Sequence, residues 1–173
     1  MKKNSLFSLL LALSLWLPVS LFGQAKVQFI HNSPDVTLDS VDIYINKSLV
    51  LDNFKFRYAS EFINGPSGIP LLIDICAPNS TNPDNPLFSL PVQLASGKKY
   101  LAIASGTLDG NGYNPYEPFE IKMIDYARET SVNTGKTDIL FFHGSPDAPV
   151  IDLWETTTRS EEHTSELQSR ITI

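Results

Sequence analysis

His31, Ser33 and Asp35 supply, within five residues, the base, hydroxyl and carboxylate of a hydrolytic triad. The residue types suit acyl transfer, but the spacing does not. All three crowd onto one stretch of chain, and Pro34 holds Ser33 extended rather than on the strained turn that presents a nucleophile. A turn accounts for the same residues. Pro34 presets its backbone, Ser33 and Asp35 hydrogen-bond to it, and His31 closes the sheet end with a satisfied imidazole. The segment Phe29-Ile30-His31-Asn32-Ser33-Pro34-Asp35 returns 112 residues on as Phe141-Phe142-His143-Gly144-Ser145-Pro146-Asp147. A turn that every domain needs would recur, whereas an active site need not. We therefore assign no catalytic residue, and read His31, Ser33, Pro34 and Asp35, with His143, Ser145, Pro146 and Asp147, as a structural turn motif. Two histidines a domain apart do not make a zinc set.

Calcium is the metal that the remaining carboxylates would suit. Asp109, Asn111 and Glu120 occupy positions one, three and twelve of a loop-like stretch. The pattern breaks at Tyr113, where an acidic or amide ligand belongs, and at Asn114, where glycine belongs. Glu120 is expected to point outward from a strand carrying Phe119 and Ile121. No metal site or cofactor is assigned on these residues. Asp35, Asp39 and Asp42 form a second acidic group, read as a solvated loop. Tyr113 and Tyr116 are the binding candidates, because two tyrosines on the proline-stiffened segment Tyr113-Asn114-Pro115-Tyr116-Glu117-Pro118 offer rigid apolar area with hydrogen-bonding tips. The competing reading folds those rings back over a sheet edge. The single cysteine, Cys76, ends an apolar run and is expected to pack in the core. Asn46-Lys47-Ser48 and Asn79-Ser80-Thr81 match glycosylation acceptors, a pattern that matters only in a pathway that glycosylates.

The elements carrying these residues are strands. Apolar side chains alternate at Val27, Phe29 and His31, at Val41, Ile43 and Ile45, at Phe88, Leu90, Val92 and Leu94, and at Phe119, Ile121 and Met123. A period of two makes a sheet with one buried face. Turn formers separate the runs: Ser33-Pro34-Asp35, Asn64-Gly65-Pro66-Ser67-Gly68, residues 78–86, Ser96-Gly97 and Asp109-Gly110-Asn111-Gly112. Strands are expected near 26–31, 41–46, 54–58, 69–76, 87–94, 99–105 and 119–126. Leu94, Gly97 and Tyr100 have the spacing of a corner at which a tyrosine hydroxyl bonds back to the upstream backbone. The fold class is thus all-β, an immunoglobulin-like antiparallel β-sandwich of about seven strands.

With 173 residues, 42% hydrophobic and 18% charged, the chain can bury a core, and a net charge of −6 without a basic stripe argues against a nucleic-acid partner. Lys2 and Lys3, an apolar stretch from Leu6 to Leu17, Pro18 and small residues at Gly23 and Ala25 read as a secretory signal peptide over 1–25. That stretch is short for a membrane span. The first sandwich is expected over 26–130. Ile151-Asp152-Leu153-Trp154 echoes Val41-Asp42-Ile43-Tyr44, so residues 137–158 read as the start of a truncated second copy. Arg159-Ser160-Glu161-Glu162-His163-Thr164-Ser165-Glu166-Leu167-Gln168-Ser169 resembles a translated sequencing adapter, and 159–173 is set aside as an artefactual tail.

The Phe-x-His-x-Ser-Pro-Asp motif, the Val-Asp-Ile-Tyr that follows it, the Gly-Tyr-Asn-Pro-Tyr loop at Gly112 to Tyr116 and the repeat together resemble the domain-of-unknown-function family DUF4397, across roughly residues 25 to 155. The resemblance implies an exported bacterial protein of the Bacteroidetes type, often in tandem copies and sometimes followed by a sorting or anchoring module. It implies no catalytic activity. Two classes of function are weighed. The first is a secreted or surface module without catalysis that adheres to glycan or protein through its loops. The second is an accessory domain of a secreted hydrolase whose catalytic part lies outside this chain.

Overall fold

A computed structural model describes residues 23–110, 112–154 and 168–169. Eight strands, β1 (Gln24–His31), β2 (Ser40–Ile45), β3 (Ser48–Lys55), β4 (Ile63–Pro66), β5 (Pro70–Cys76), β6 (Phe88–Gln93), β7 (Lys99–Ser105) and β8 (Glu120–Ile124), build two four-stranded sheets, with one 3-10 turn at Val36–Leu38. Sheet A has the order β4-β1-β7-β8 and sheet B the order β3-β2-β5-β6. The two-residue strands β9 (Leu153–Trp154) and β10 (Gln168–Ser169) pair separately.

The two large sheets form the expected β-sandwich. Ala25, Val27, Phe29, Tyr100, Ala102 and Ile121 of sheet A share one core with Val41, Ile43, Phe54, Leu71, Ile73 and Ile75 of sheet B. Each fully buried aliphatic or aromatic side chain contributes roughly 1.5–3 kcal/mol, so alternation along the strands is what holds the sheets together. Pairing is antiparallel except between β1 and β7, which run parallel from Lys26↔Lys99 to His31↔Ala104. Parallel neighbours need a long crossover, and here all of sheet B supplies it. The corner forms as the spacing predicts: the Tyr100 hydroxyl accepts a hydrogen bond from the Ala95 N–H at 2.9 Å, and Gly97 takes the positive φ of the turn.

Two strands depart from the expected boundaries by more than two residues. The strand expected at 54–58 runs instead from Ser48 to Lys55, because Asn46 and Lys47 both adopt positive φ and close a two-residue hairpin directly after β2. The second departure is β4, which occupies part of the stretch read as a turn. Asn64, Gly65 and Pro66 pair with Lys26, Ala25 and Gln24, and Pro66 is tolerated because β4 is an edge strand. The final strand ends at Ile124 rather than 126.

Sequence expectations for the leader over 1–22, for Asn111 and for most of the tail lie outside the described residues.

Candidate functional site

The inward face of β1 continues past the strand end. Ala25, Val27, Phe29, His31, Ser33 and Asp35 are all buried, so the motif's polar side chains turn into the protein. His31 Nε2 lies 2.6 Å from the Leu38 carbonyl, which can only accept, so Nε2 carries the proton. Nδ1 is then a bare lone pair, buried without a hydrogen-bond partner; the imidazole is half satisfied, not wholly satisfied as expected. The ring stacks 6.3 Å from Phe54 and meets Phe56 edge-on at 5.9 Å. Burial, the largest influence, pushes its pKa below 6.5, against the opposing pulls of the Leu38 carbonyl and the Asp39 charge.

Ser33 and Asp35 reach across to the connection between β7 and β8. The Ser33 hydroxyl donates to the Gly106 carbonyl at 2.6 Å. One Asp35 carboxylate oxygen accepts from the Thr37 N–H at 2.8 Å and the Thr37 hydroxyl at 2.6 Å, while the other accepts from the Leu108 N–H at 2.7 Å. Burial opposes the charge on Asp35, but these bonds outweigh it and hold the pKa below 3.8. Gly106 is required here, because its φ is +75° and a Cβ would come within 2.2 Å of the Pro118 carbonyl oxygen. Among the described residues, none of the three motif side chains bonds to another in the manner of a triad. Each is instead directed at backbone, apart from the Thr37 hydroxyl: Ser33 and Asp35 clasp the end of β1 to the 106–108 turn, while His31 holds the Leu38 carbonyl. The nearby space between the sheets, lined by Phe29, His31, Val41, Phe54 and Phe119, is a void of about 10 Å³, on the scale of one water molecule.

A second polar centre lies on the outer side of sheet B. The Asp42 carboxylate accepts from the Asn53 N–H at 2.8 Å and from both the N–H and hydroxyl of Ser80 at 2.7 Å. The ladder between β2 and β3 shifts register at this point, and the carboxylate takes up the freed backbone donor. Tyr44 adds its hydroxyl, which donates to the Ser80 carbonyl at 2.8 Å. Asp42 is fully buried rather than part of a solvated acidic loop, and hydrogen bonds hold its pKa below 3.8 despite opposing burial. Cys76 sits opposite Asp42 on β5. It is buried as expected, but lies outside the main apolar cluster, and desolvation followed by the charges of Asp74 and Asp42 raises its thiol pKa. Ser80 escapes sequence reasoning as a hub; the available signal was the recurrence of Asp42 as Asp152.

The tyrosine loop is folded partly onto itself. Tyr113 donates its hydroxyl to the Pro34 carbonyl at 3.3 Å, adding a strut to the clasp. Tyr116 lays its ring against Gly110, where a Cβ would lie 2.6 Å from the ring, yet it remains 51% exposed. Glu120 opens β8 opposite Ser105 and lies 3.3 Å from the Lys122 ammonium. Among the described residues, no group of three or more His, Cys, Asp or Glu side chains is placed to hold a metal ion.

The second motif keeps the histidine contact without the sheet, but its serine and aspartate bond to each other. His143 Nε2 lies 3.2 Å from the Pro149 carbonyl, as His31 faces Leu38, and the Ser145 hydroxyl bonds to Asp147 at 3.2 Å. Among the described residues, no helix is long and apolar enough to cross a membrane. The family model "Domain of unknown function (DUF4397)" matches residues 23–154, beginning one residue before β1. No curated protein matches the chain.

Proposed function

Since the chain belongs to the DUF4397 family, we propose that it acts as an exported β-sandwich module without catalysis, one that meets a glycan or protein surface through its loops. One observation supports the reading above the rest: His31, Ser33 and Asp35 are bonded to the protein's own turns rather than to one another. Of the two candidate tyrosines, Tyr116 is the one left open for recognition, with one side braced by Gly110 and half of its surface exposed. A braced aromatic ring contacts a sugar or peptide face with little loss of conformational freedom. Export rests on Lys2, Lys3, the apolar Leu6 to Leu17 and the small residues that follow.

The test is retention of the purified chain on immobilised polysaccharides and on cell-surface protein extracts. Tyr116→Ala should weaken retention about tenfold, the loss of roughly 1.4 kcal/mol, while leaving stability unchanged. Retention indifferent to this substitution, or hydrolysis of an ester or glycoside substrate abolished by Ser33→Ala, would overturn the proposal.

A further inference from the structure

We infer that β8 is an interface strand, through which two separate copies of this chain pair edge to edge about a two-fold axis at Ile121. An unpaired strand edge is a template for another strand, and folded proteins blunt it with proline, bulges or bends. Of the four strands that edge the two large sheets, three are blunted in this way. Strand β4 ends in Pro66, β6 carries Pro91, and β3 is bent by a positive φ at Asn53 and by register shifts against β2. Strand β8 has none of these devices. It pairs with β7 without a shift, from Leu101↔Ile124 to Ser105↔Glu120.

The backbone fixes the register. The Ala104 carbonyl accepts from the Asn32 N–H, so Ala104 turns its polar groups toward β1, and its neighbours Ile103 and Ser105 turn theirs toward β8. Lys122 and Glu120 stand opposite those two residues, which leaves the N–H and C=O of Ile121 and Met123 directed away from the sheet. Antiparallel pairing of Ile121 with Ile121 of a second copy uses those groups, and on the outer face it sets Glu120 of each chain opposite Lys122 of the other. Opposite charges thus meet twice across the axis, whereas centring the pair on Lys122 would oppose like charges. Glu120 and Lys122 lie 3.3 Å apart within the strand, with side chains 54% and 39% exposed, so both can turn to a neighbouring chain. On the inner face the same register sets Phe119 against Met123, which is half-buried at the open edge where Phe119 and Ile121 are buried. The partner that fits this edge is a second copy of the chain, because one sequence then supplies both charges in reversed order.

Sedimentation velocity of the full chain tests the pairing. The chain should be partly dimeric at about 100 µM. Glu120→Lys and Lys122→Glu each set like charges against one another on both sides of the axis, and each should weaken association at least about tenfold. Mixing the two variants in equal amounts should restore it, because one chain then presents two lysines to two glutamates of the other. A wild-type chain that is monomeric throughout, single variants that associate as well as the original, or a mixture no more dimeric than its components would overturn the inference.

Discussion

A neutral imidazole held against Phe54 and Phe56 makes stability sensitive to acid. The folded pKa of His31 lies below 6.5, so the unfolded chain takes up the proton first as pH falls. Its contribution is complete above pH 6.5 and is lost from there down to the folded value. Asp35 and Asp42 act in a lower window. Their folded pKa values lie below 3.8, so their contribution is present above that pH and is lost as pH falls through the folded values. Urea denaturation across a pH series should thus show two descending steps, and His31→Phe should remove the upper one. Persistence of the upper step in that variant would assign it elsewhere. At this scale the sequence revealed the turn chemistry of Ser33, Pro34 and Asp35 because proline and Asx chemistry act locally. It did not reveal Gly106, Leu108 or Ser80 as partners, since nothing in neighbouring residues encodes a contact across the sandwich.

Among the elements, the corner at Tyr100 was legible because its glycine and tyrosine spacing is fixed by the geometry of the turn. Tyr100→Phe leaves the Ala95 N–H without its acceptor and should lower stability by about 1–2 kcal/mol, measured as a shift of the urea midpoint with the strand content intact. A midpoint that does not move would show that the hydroxyl contributes nothing. The hairpin at Asn46-Lys47 was overlooked because lysine seldom takes positive φ, and the same tripeptide matched a glycosylation acceptor. Asn46 is structural in this fold: its side-chain oxygen accepts from the Leu72 N–H at 2.8 Å. The edge strand β4 was hidden by Asn64, Gly65 and Pro66, whose turn propensity is overridden by pairing with β1.

For the whole molecule, alternation and turn spacing sufficed to specify a sandwich, while the order of strands within each sheet was set by packing alone. If residues 1–25 act as the leader proposed above, the structure bears on where it would be cut. Gln24 and Ala25 pair with Pro66 and Gly65, and the Gly23 carbonyl accepts from the N–H and hydroxyl of Ser67 at 3.0 and 2.6 Å. A boundary after residue 25 would strip the start of β1, so the mature protein is expected to begin no later than Gln24. Intact mass of the exported form checks this, and a first residue of Lys26 would refute it. The clasp carries one more consequence, which concerns time. Ser33 to Gly106 and Asp35 to Leu108 each span 73 residues, and Tyr113 to Pro34 spans 79. During synthesis, the earliest part of the domain to emerge is therefore among the last to be secured, and a nascent chain halted before Lys99 has β4 but neither β7 nor the 106–108 turn with which to fix the end of β1.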